Sequence, residues 1–307
     1  AAAALIGGPV LLWVLTRNRL IPARPSQPVS LVPHRRRLSK TGLLVLGLIT
    51  LGSLAITLSL GPTWEGWRWT GFNGETAVLA MRLPRMTTAL MAGALLAGAG
   101  VIVQRLTRNP MASPELLGIS TGAAMGMVLL ILTIGASSRG LQILAGGAGG
   151  ALVLLALLVL SRRSKFSPQR LLLGGIALSA LLDAGIRMIL AMGDAQSIML
   201  LNWLAGSTWL SDQSDAWALI VATPVLALMA MLASRWLDLL PLGDSAANSL
   251  GLPLAPARLL LLLLAALMTA AATLVVGPLS FVGLMAPHLA RLLGYQRALP
   301  QMLGAFV

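Results

Sequence analysis

The sequence contains no cysteine, so neither a disulfide nor a thiolate metal site can form within it. It has only two histidines and a single tyrosine, and charged side chains make up just 10% of the residues. The HExxH, GxSxG and Walker patterns are also absent. Hydrolytic, metal-dependent and nucleotide-dependent chemistry therefore has few candidate residues, and we predict that this chain is not an enzyme.

What the sequence does contain is hydrophobic side chains, which account for 57% of it and give a mean hydropathy of +0.87. Both values lie above those of soluble domains. The net charge of +13 raises the alternative of nucleic-acid binding, but basic and aromatic residues are not interleaved on one face. We interpret the charge as that of loops flanking membrane helices, and we expect no nucleic-acid partner.

The run from Met86 to Leu106 shows the character of the membrane segments. It has no charge before its penultimate residue, and as a helix it would be about 31 Å long, enough to cross a bilayer core. Small residues repeat along it at four-residue spacing, which favours close helix packing in lipid: Ala89, Gly93 and Ala97 on one stripe, Ala94 and Gly98 on the next. Similar runs predict spans at residues 41–60, 116–135, 141–160, 171–192, 216–233 and 259–276, followed by a short apolar segment ending at residue 291.

The distribution of basic residues predicts the orientation of these spans. If residues 17–40 are cytoplasmic and the spans alternate, 17 of the 22 lysines and arginines lie inside. The remaining five lie on or near the other side: Arg68, Arg82, Arg85, Arg139 and Arg187. The opposite orientation would violate the positive-inside rule.

Three sequence blocks carry a resemblance to a known family. They are RLPR at 82–85, QRLTRNPMASPELLG at 104–118 and GPLSFVGLMAPHLAR at 277–291. In this order and spacing they resemble the FecCD-type permeases of ABC importers, over roughly residues 41–307. The resemblance implies an all-α polytopic protein of the bacterial inner membrane, with roughly ten helices in each permease copy.

The resemblance also divides the chain into three parts. Residues 4–19 resemble the last helix of the same fold, so residues 1–16 are expected to end a preceding permease copy. Residues 17–40, rich in proline and arginine, are predicted to be a cytoplasmic linker. Residues 41–307 would then hold helices one to eight and the start of helix nine of a second, truncated copy. Such a fused arrangement favours iron(III)-hydroxamate siderophores as cargo and leaves another iron chelate, haem or vitamin B12 open.

Several partners follow from the resemblance. A homologous first half of the same chain would complete the translocation path, and a periplasmic siderophore-binding protein would deliver the cargo. Two cytoplasmic ATPase subunits would bind ATP and Mg²⁺, and no cofactor is expected in this chain. Arg82 and Arg85 resemble the arginines that dock acidic residues of the binding protein, a role that suits charge-assisted hydrogen bonds. Anchoring to lipid phosphates is the alternative.

The segment 241–253 resembles the coupling loop that sits in a cleft on the ATPase subunit. Its candidate site residues are Asp244, Ala246, Ala247 and Gly251. A glycine at position 251 would supply either a positive φ or close approach of another group. Without the resemblance, the same stretch is typical of an ordinary loop between two spans.

Asp183 and Arg187 lie four residues apart on one predicted span and form a candidate intramembrane polar pair. Ionisable groups at such depth are functional candidates, but a local ion pair is the alternative. Asp183 also supports a rival function, an ion-coupled secondary transporter, although the nearby arginine weakens it. His288 is expected to be a packing residue, and no metal site is predicted.

Overall fold

The computed structural model describes residues 40–63, 66–69, 76–135, 138–162, 164, 166–191, 200–201, 203–209 and 211–307. The expected helix at 1–16 and nearly all of the linker at 17–40 lie outside the described residues. Within the described ranges the chain is a bundle of helices with one short β-hairpin. Six of these helices are long and apolar enough to cross a membrane, which confirms the predicted polytopic helical fold.

The described helices are, in chain order, α1 (Lys40–Ser59), α2 (Thr76–Thr107), α3 (Ile119–Ile134), α4 (Arg139–Arg162), α5 (Pro168–Leu190), α6 (Gln213–Leu232), α7 (Ser234–Leu239), α8 (Asp244–Ser249), α9 (Leu254–Val276), α10 (Val282–Leu292) and α11 (Ala298–Phe306). Two 3₁₀ turns, Pro114–Leu117 and Leu240–Leu242, precede α3 and α8. Strands β1 (Leu60–Thr63) and β2 (Gly66–Trp69) pair antiparallel after α1.

Helices α2 and α9 form the centre of the bundle. They pack against each other, and α2 also contacts α6, α10 and α11. Both are apolar around their whole circumference, which is typical of a helix surrounded by other helices. Leu95 and Ile102 of α2 and Leu262 of α9 are fully buried. By contrast, the apolar residues of α1 are largely exposed, as suits a helix at the edge of the bundle facing lipid.

Helix α2 begins ten residues before the predicted span, so the RLPR motif lies within the helix instead of in a loop before it. Pro84 is tolerated there because membrane helices accommodate proline through local adjustment and neighbouring groups. We call the end of α2 that carries Arg82 its outer end and the end that carries Arg105 its inner end, after the predicted orientation.

The close contacts of α2 lie further along the helix than the small-residue spacing predicted. A β-carbon on Gly100 would come within 1.8 Å of the carbonyl oxygen of Gly283, so α2 and α10 touch backbone to backbone. Gly98 is also closely packed, but Gly93 has no atom within 4 Å of such a β-carbon and Ala89 is exposed. The prediction was therefore wrong for the outer part of the stripe, because spacing alone does not show which part of a helix has a neighbour.

Helix α3 is shorter than the predicted span because it starts inside the bundle. Its preceding turn packs against α5, where a β-carbon on Gly175 would lie 2.0 Å from the carbonyl oxygen of Leu116. Gly175 lies about 10 Å along α5 from Pro168, the inner start of that helix. The chain thus leaves the inner end of α2, re-enters the bundle over residues 108–118, and begins α3 there. Its backbone stays within the protein, as irregular structure at membrane depth requires.

Helix α10 is a second short helix that begins inside the bundle. Its N-terminal neighbour Phe281 has φ +70°, and Gly283 touches α2 about 10 Å from the inner end of that helix. At its other end, Arg291 Nη2 donates to Gln104 Oε1 at 2.6 Å. Helix α10 therefore runs beside only the inner half of α2.

Candidate functional site

The inner end of α2 is held by one arginine with several partners. Arg105 Nη1 lies 2.9 Å from Asp238 Oδ1 of α7, and its Nε donates to Gln301 Oε1 of α11 at 2.8 Å. The same carboxylate oxygen accepts the backbone N–H of Ala298, the first residue of α11. Charge-assisted hydrogen bonds of this kind are among the strongest in proteins. They fix α7 and α11 to α2.

The predicted coupling loop is mostly helical. The chain from Ser234 to Ser249 forms α7, a 3₁₀ turn and the short helix α8, which we call the coupling helix. Gly251 has φ +82° and no atom within 4 Å of a β-carbon built on it, so this glycine supplies a left-handed backbone and not close approach. Its N–H bonds to Asn248 O, and Leu252 N–H bonds to Ala247 O. This is the Schellman pattern that ends many helices.

The coupling helix has one buried face and one exposed face. Ala247 is fully buried against the bundle and Ala246 is half-buried, so these two predicted site residues hold the helix in place. The outward face carries Ser245, Asn248 and Ser249, which are exposed. These three polar residues were not predicted as site residues, because only the packed structure shows which face of a six-residue helix points outward.

Asp244 begins the coupling helix and binds two arginines from other elements. Its Oδ1 accepts Nη2 of Arg108 at 2.5 Å and Nη2 of Arg258 at 2.6 Å. Partial burial alone would raise the pKa of Asp244, but hydrogen bonds and charge from Arg258 and then Arg108 outweigh it and hold that pKa below its ordinary value. Asp244 is therefore ionised at neutral pH. Sequence reasoning selected it but found neither arginine partner.

At the outer end of α2, Arg82 binds the end of a neighbouring helix. Its Nη1 donates to Leu58 O at 2.9 Å and to Leu60 O at 3.1 Å. These carbonyls belong to the last turn of α1 and the strand that follows, where a cation is favourable. Arg82 is half-buried.

Arg85 lies one turn further along the same side of α2. Its Cζ is 4.2 Å from the ring centroid of Trp209, which is a cation–π contact, and it is likewise half-buried. Within the described ranges, neither Arg82 nor Arg85 forms an ion pair with a carboxylate. The two side chains are thus oriented by carbonyls and by an aromatic ring, and their charge is not neutralised by any described acidic residue.

Asp183 and Arg187 form the expected ion pair, with Nε to Oδ2 at 2.7 Å. Both line a cavity of about 400 Å³, together with Ser120 and Ser280 and with apolar residues of α3, α5 and the segment before α6. The pair is well exposed in this chain, and it lies in the outer half of α5. The geometry therefore fits both a local ion pair and a polar lining.

One acidic residue in the bundle was missed by sequence reasoning. Glu115 lies on the re-entrant turn before α3, and its Oε1 is buried with no hydrogen-bond partner. It lies between the predicted spans 86–106 and 116–135, just after two prolines, Pro110 and Pro114, that interrupt the chain. His288 is half-buried on α10, and the described residues contain no group of three or more histidine, aspartate or glutamate side chains that could hold a metal ion.

Long apolar helices, two short helices that begin inside the bundle, and ion pairs gathered at the inner end of a central helix define a multi-pass membrane protein of the transporter class. Comparisons with known proteins give the family. Residues 42–307 match the FecCD transport family, and the chain belongs to that family. The resemblance carried by the three sequence blocks is therefore confirmed over nearly the whole range that it covered.

Three relatives illustrate the range of the family. The chain is 42% identical over 299 residues to the iron(3+)-hydroxamate import system permease protein FhuB of Escherichia coli (strain K12), covering 97% of this chain and 45% of FhuB. It is 34% identical over 263 residues to the Fe(3+)-citrate import system permease protein YfmE of Bacillus subtilis (strain 168), covering 83% and 77%. It is 32% identical over 263 residues to the vitamin B12 import system permease protein BtuC of Salmonella typhi, covering 85% and 80%.

A solved structure agrees with the fold. It is described as an inward-facing conformation of a metal-chelate type ABC transporter, and it superposes with a TM-score of 0.77 at 27% identity, covering 87% of this chain and 85% of that one. The chain spans about half the length of the FhuB relatives that it matches. It is similar to the transmembrane permease subunits of bacterial ABC importers, and it shares their multi-pass helical architecture.

Proposed function

We propose that this chain is one half of the transmembrane permease of an ABC importer, and that it moves iron(III)-hydroxamate siderophores from the periplasm to the cytoplasm across the bacterial inner membrane. The observation that carries the proposal is the 42% identity to FhuB along 97% of the chain. Relatives whose names specify citrate or vitamin B12 match at 34% and 32%, so another iron chelate, haem or vitamin B12 is the alternative cargo.

The two ends of α2 fit the two partners that such a permease needs. At the inner end, the exposed polar face of the coupling helix is suited to a cleft on one of the two cytoplasmic ATPase subunits, which would bind ATP and Mg²⁺. At the outer end, Arg82 and Arg85 present positive charge to acidic residues of a periplasmic siderophore-binding protein. The homologous first half would complete the path, with the cavity beside Asp183 as part of its wall.

An uptake assay tests the cargo. The permease containing this chain is expressed with its ATPase and binding protein in bacteria that lack their own hydroxamate importer. Cells are then offered labelled ferric hydroxamate, ferric citrate, haem and cobalamin in parallel. We expect accumulation of the hydroxamate alone. Accumulation of a different cargo with no hydroxamate uptake would overturn the cargo assignment while keeping the importer class.

The energy source separates the importer from the rival secondary transporter. Glu115 on the re-entrant turn and Asp183 in the outer half of α5 are acidic residues at membrane depth, and a proton-coupled carrier would require such groups. In proteoliposomes holding the complete complex, we expect transport to need hydrolysable ATP on the coupling-helix side. Transport driven by a proton gradient without ATP would instead support the rival.

A further inference from the structure

The carboxylate of Asp244 joins three separate elements of the protein. It belongs to the first residue of the coupling helix, and its Oδ1 receives Arg108 from the inner end of α2 and Arg258 from the first turns of α9. Arg108 also donates from Nε to Leu240 O at 3.0 Å, in the turn before the coupling helix. One aspartate and two arginines thus connect this helix to both central helices. We call these three residues the aspartate clamp.

Arg108 occupies a backbone position at which glycine is usual. The N–H of Arg108 bonds to Arg105 O and the N–H of Asn109 to Gln104 O, so α2 ends in a Schellman motif with Arg108 at φ +54°. The coupling helix ends in the same motif, and there the left-handed residue is Gly251. A non-glycine residue in this conformation is strained. The arginine at the end of α2 is therefore explained by its side-chain contacts, and not by the turn.

Arg258 is buried in an otherwise apolar helix. Its side chain is only 6% exposed, and among the described residues its one ion-pair partner is Asp244. A buried guanidinium requires a carboxylate partner, because an isolated charge in such surroundings is strongly unfavourable. Loss of Asp244 would leave this charge uncompensated. The ion pair therefore holds α9 and the coupling helix together, because separating them would leave the buried charge of Arg258 uncompensated.

We infer that Asp244 is a positioning residue, and that the aspartate clamp makes the coupling helix move as one body with the inner ends of α2 and α9. These are the central helices, and α2 continues without a break to Arg82 and Arg85 at the outer end. A displacement of the coupling helix would then move α2 and α9, and through α2 it would be transmitted to the outer end. The inference rests on the proposed function only in assigning the displacement to an ATPase.

Distance measurements between two spin labels test the clamp itself. Ser249→Cys on the coupling helix and Met111→Cys beyond α2 provide two exposed labelling sites, and these 307 residues contain no other cysteine. In the permease without ATPase, we expect one narrow distance distribution. Asp244→Asn should broaden it at least twofold, because the neutral amide no longer holds both guanidinium groups.

Arg108→Gly is a second variant, and it is not expected to impair folding. Glycine is the favoured residue at a left-handed helix end, so this change relieves backbone strain while it removes the clamp. We expect normal membrane insertion, a broadened label distribution and hydroxamate uptake reduced at least tenfold, with ATP hydrolysis by the assembled complex retained. Retained hydrolysis without transport would be the signature of lost coupling, which a merely misfolded variant does not give.

Asp212→Asn is the matched control, because it makes the same chemical change at the exposed N-cap of α6, at the opposite end of the bundle. Asparagine caps helices as well as aspartate does, so labels and uptake should be unchanged. An unchanged narrow distribution in both Asp244→Asn and Arg108→Gly would overturn the clamp. If instead the distribution broadens but the complex never binds an ATPase, the clamp stands and the proposed importer function fails.

Discussion

The two ends of α2 use the same residue type in opposite ways. At the inner end, Arg105 and Arg108 are paired with Asp238 and Asp244, and each carboxylate belongs to a different short helix. At the outer end, Arg82 binds carbonyl oxygens of α1 and the strand after it, and Arg85 stacks on Trp209. Of these four arginines, only Arg105 and Arg108 have acidic partners among the described residues.

This difference indicates different tasks. Paired charges that are partly removed from water hold elements in a fixed relation, because separating them leaves charge uncompensated. Arginines that are oriented but lack a carboxylate partner are prepared to accept one from another molecule. The inner end thus forms an internal joint, and the outer end is left for the docking role that we propose.

Gly100→Val should have the largest effect, because both ends depend on the packing of α2. Its side chain would overlap the backbone of Gly283 in α10. Overpacking here should cost about 3 kcal/mol, at the upper part of the usual range, because backbone atoms cannot move aside as a side-chain end can. We expect little folded protein in membranes, measured by the yield of monodisperse permease in detergent. Gly93→Val, where the space is open, should give normal yield.

Charge reversal at both outer arginines should be next in size. Arg82→Glu with Arg85→Glu replaces attraction by repulsion, so affinity for the binding protein should fall about tenfold or more, with uptake lost. Loss of the cation at the end of α1 should cost only about 0.3–1 kcal/mol, so insertion should persist. Binding is measured by surface plasmon resonance on permease in nanodiscs. Equal affinity of the mutant and wild-type permeases would refute the docking assignment.

Gly251→Val acts on the inner end and should have a more local effect. A β-branched residue at φ +82° is strained by about 1–3 kcal/mol, which should unwind the end of the coupling helix. We expect reduced stimulation of the ATPase and reduced transport, with normal binding-protein affinity. Leu250→Val introduces the same side chain at the preceding residue, where φ is −84°, and should leave ATPase stimulation and transport nearly unchanged. Coupling that survives in Gly251→Val but fails in Leu250→Val would contradict this role.

The smallest effect is expected from single cysteines that report sidedness. Met111→Cys beyond the inner end of α2 and Gln213→Cys at the start of α6 are both exposed, and neither should alter transport. In intact cells, a membrane-impermeant maleimide should label the cysteine at position 213 and not the one at position 111. After the cells are permeabilised, position 111 should be labelled as well. Labelling of both in intact cells would disprove the alternating orientation predicted from the basic residues.

Much of the architecture could be predicted because a membrane restricts the choices. Apolar runs predicted the spans of α1, α4, α5, α6 and α9 to within about five residues of their observed bounds. The predicted bounds are wrong where the end of a helix does not coincide with the end of an apolar run. Helix α2 extends through Pro84, α3 starts within the bundle, and strands β1 and β2 follow the first span. Hydropathy reports which residues avoid water, but not where a helix begins within a packed bundle.

The candidate site was predictable by position but not by partner. The motifs singled out Arg82, Arg85, Asp244 and Gly251, and the positive φ at Gly251 is one of the two options that a glycine there allowed. The pairing of Asp244 with Arg108 and Arg258 was not visible, because the three residues come from separate elements. The same motif that suggested the family, QRLTRNP, contains two of the arginines that organise the inner end.

The sequence by itself determined that this chain is a multi-pass helical membrane protein of the FecCD type, because apolar run length, basic-residue placement and short motifs are local properties of the chain. The tertiary structure alone decided which glycines let backbones touch, which face of the coupling helix is outward, and which arginines are neutralised. Those properties depend on groups far apart in sequence being brought within a few ångströms. At that distance, a carboxylate forms charge-assisted hydrogen bonds with an arginine and holds the two elements together.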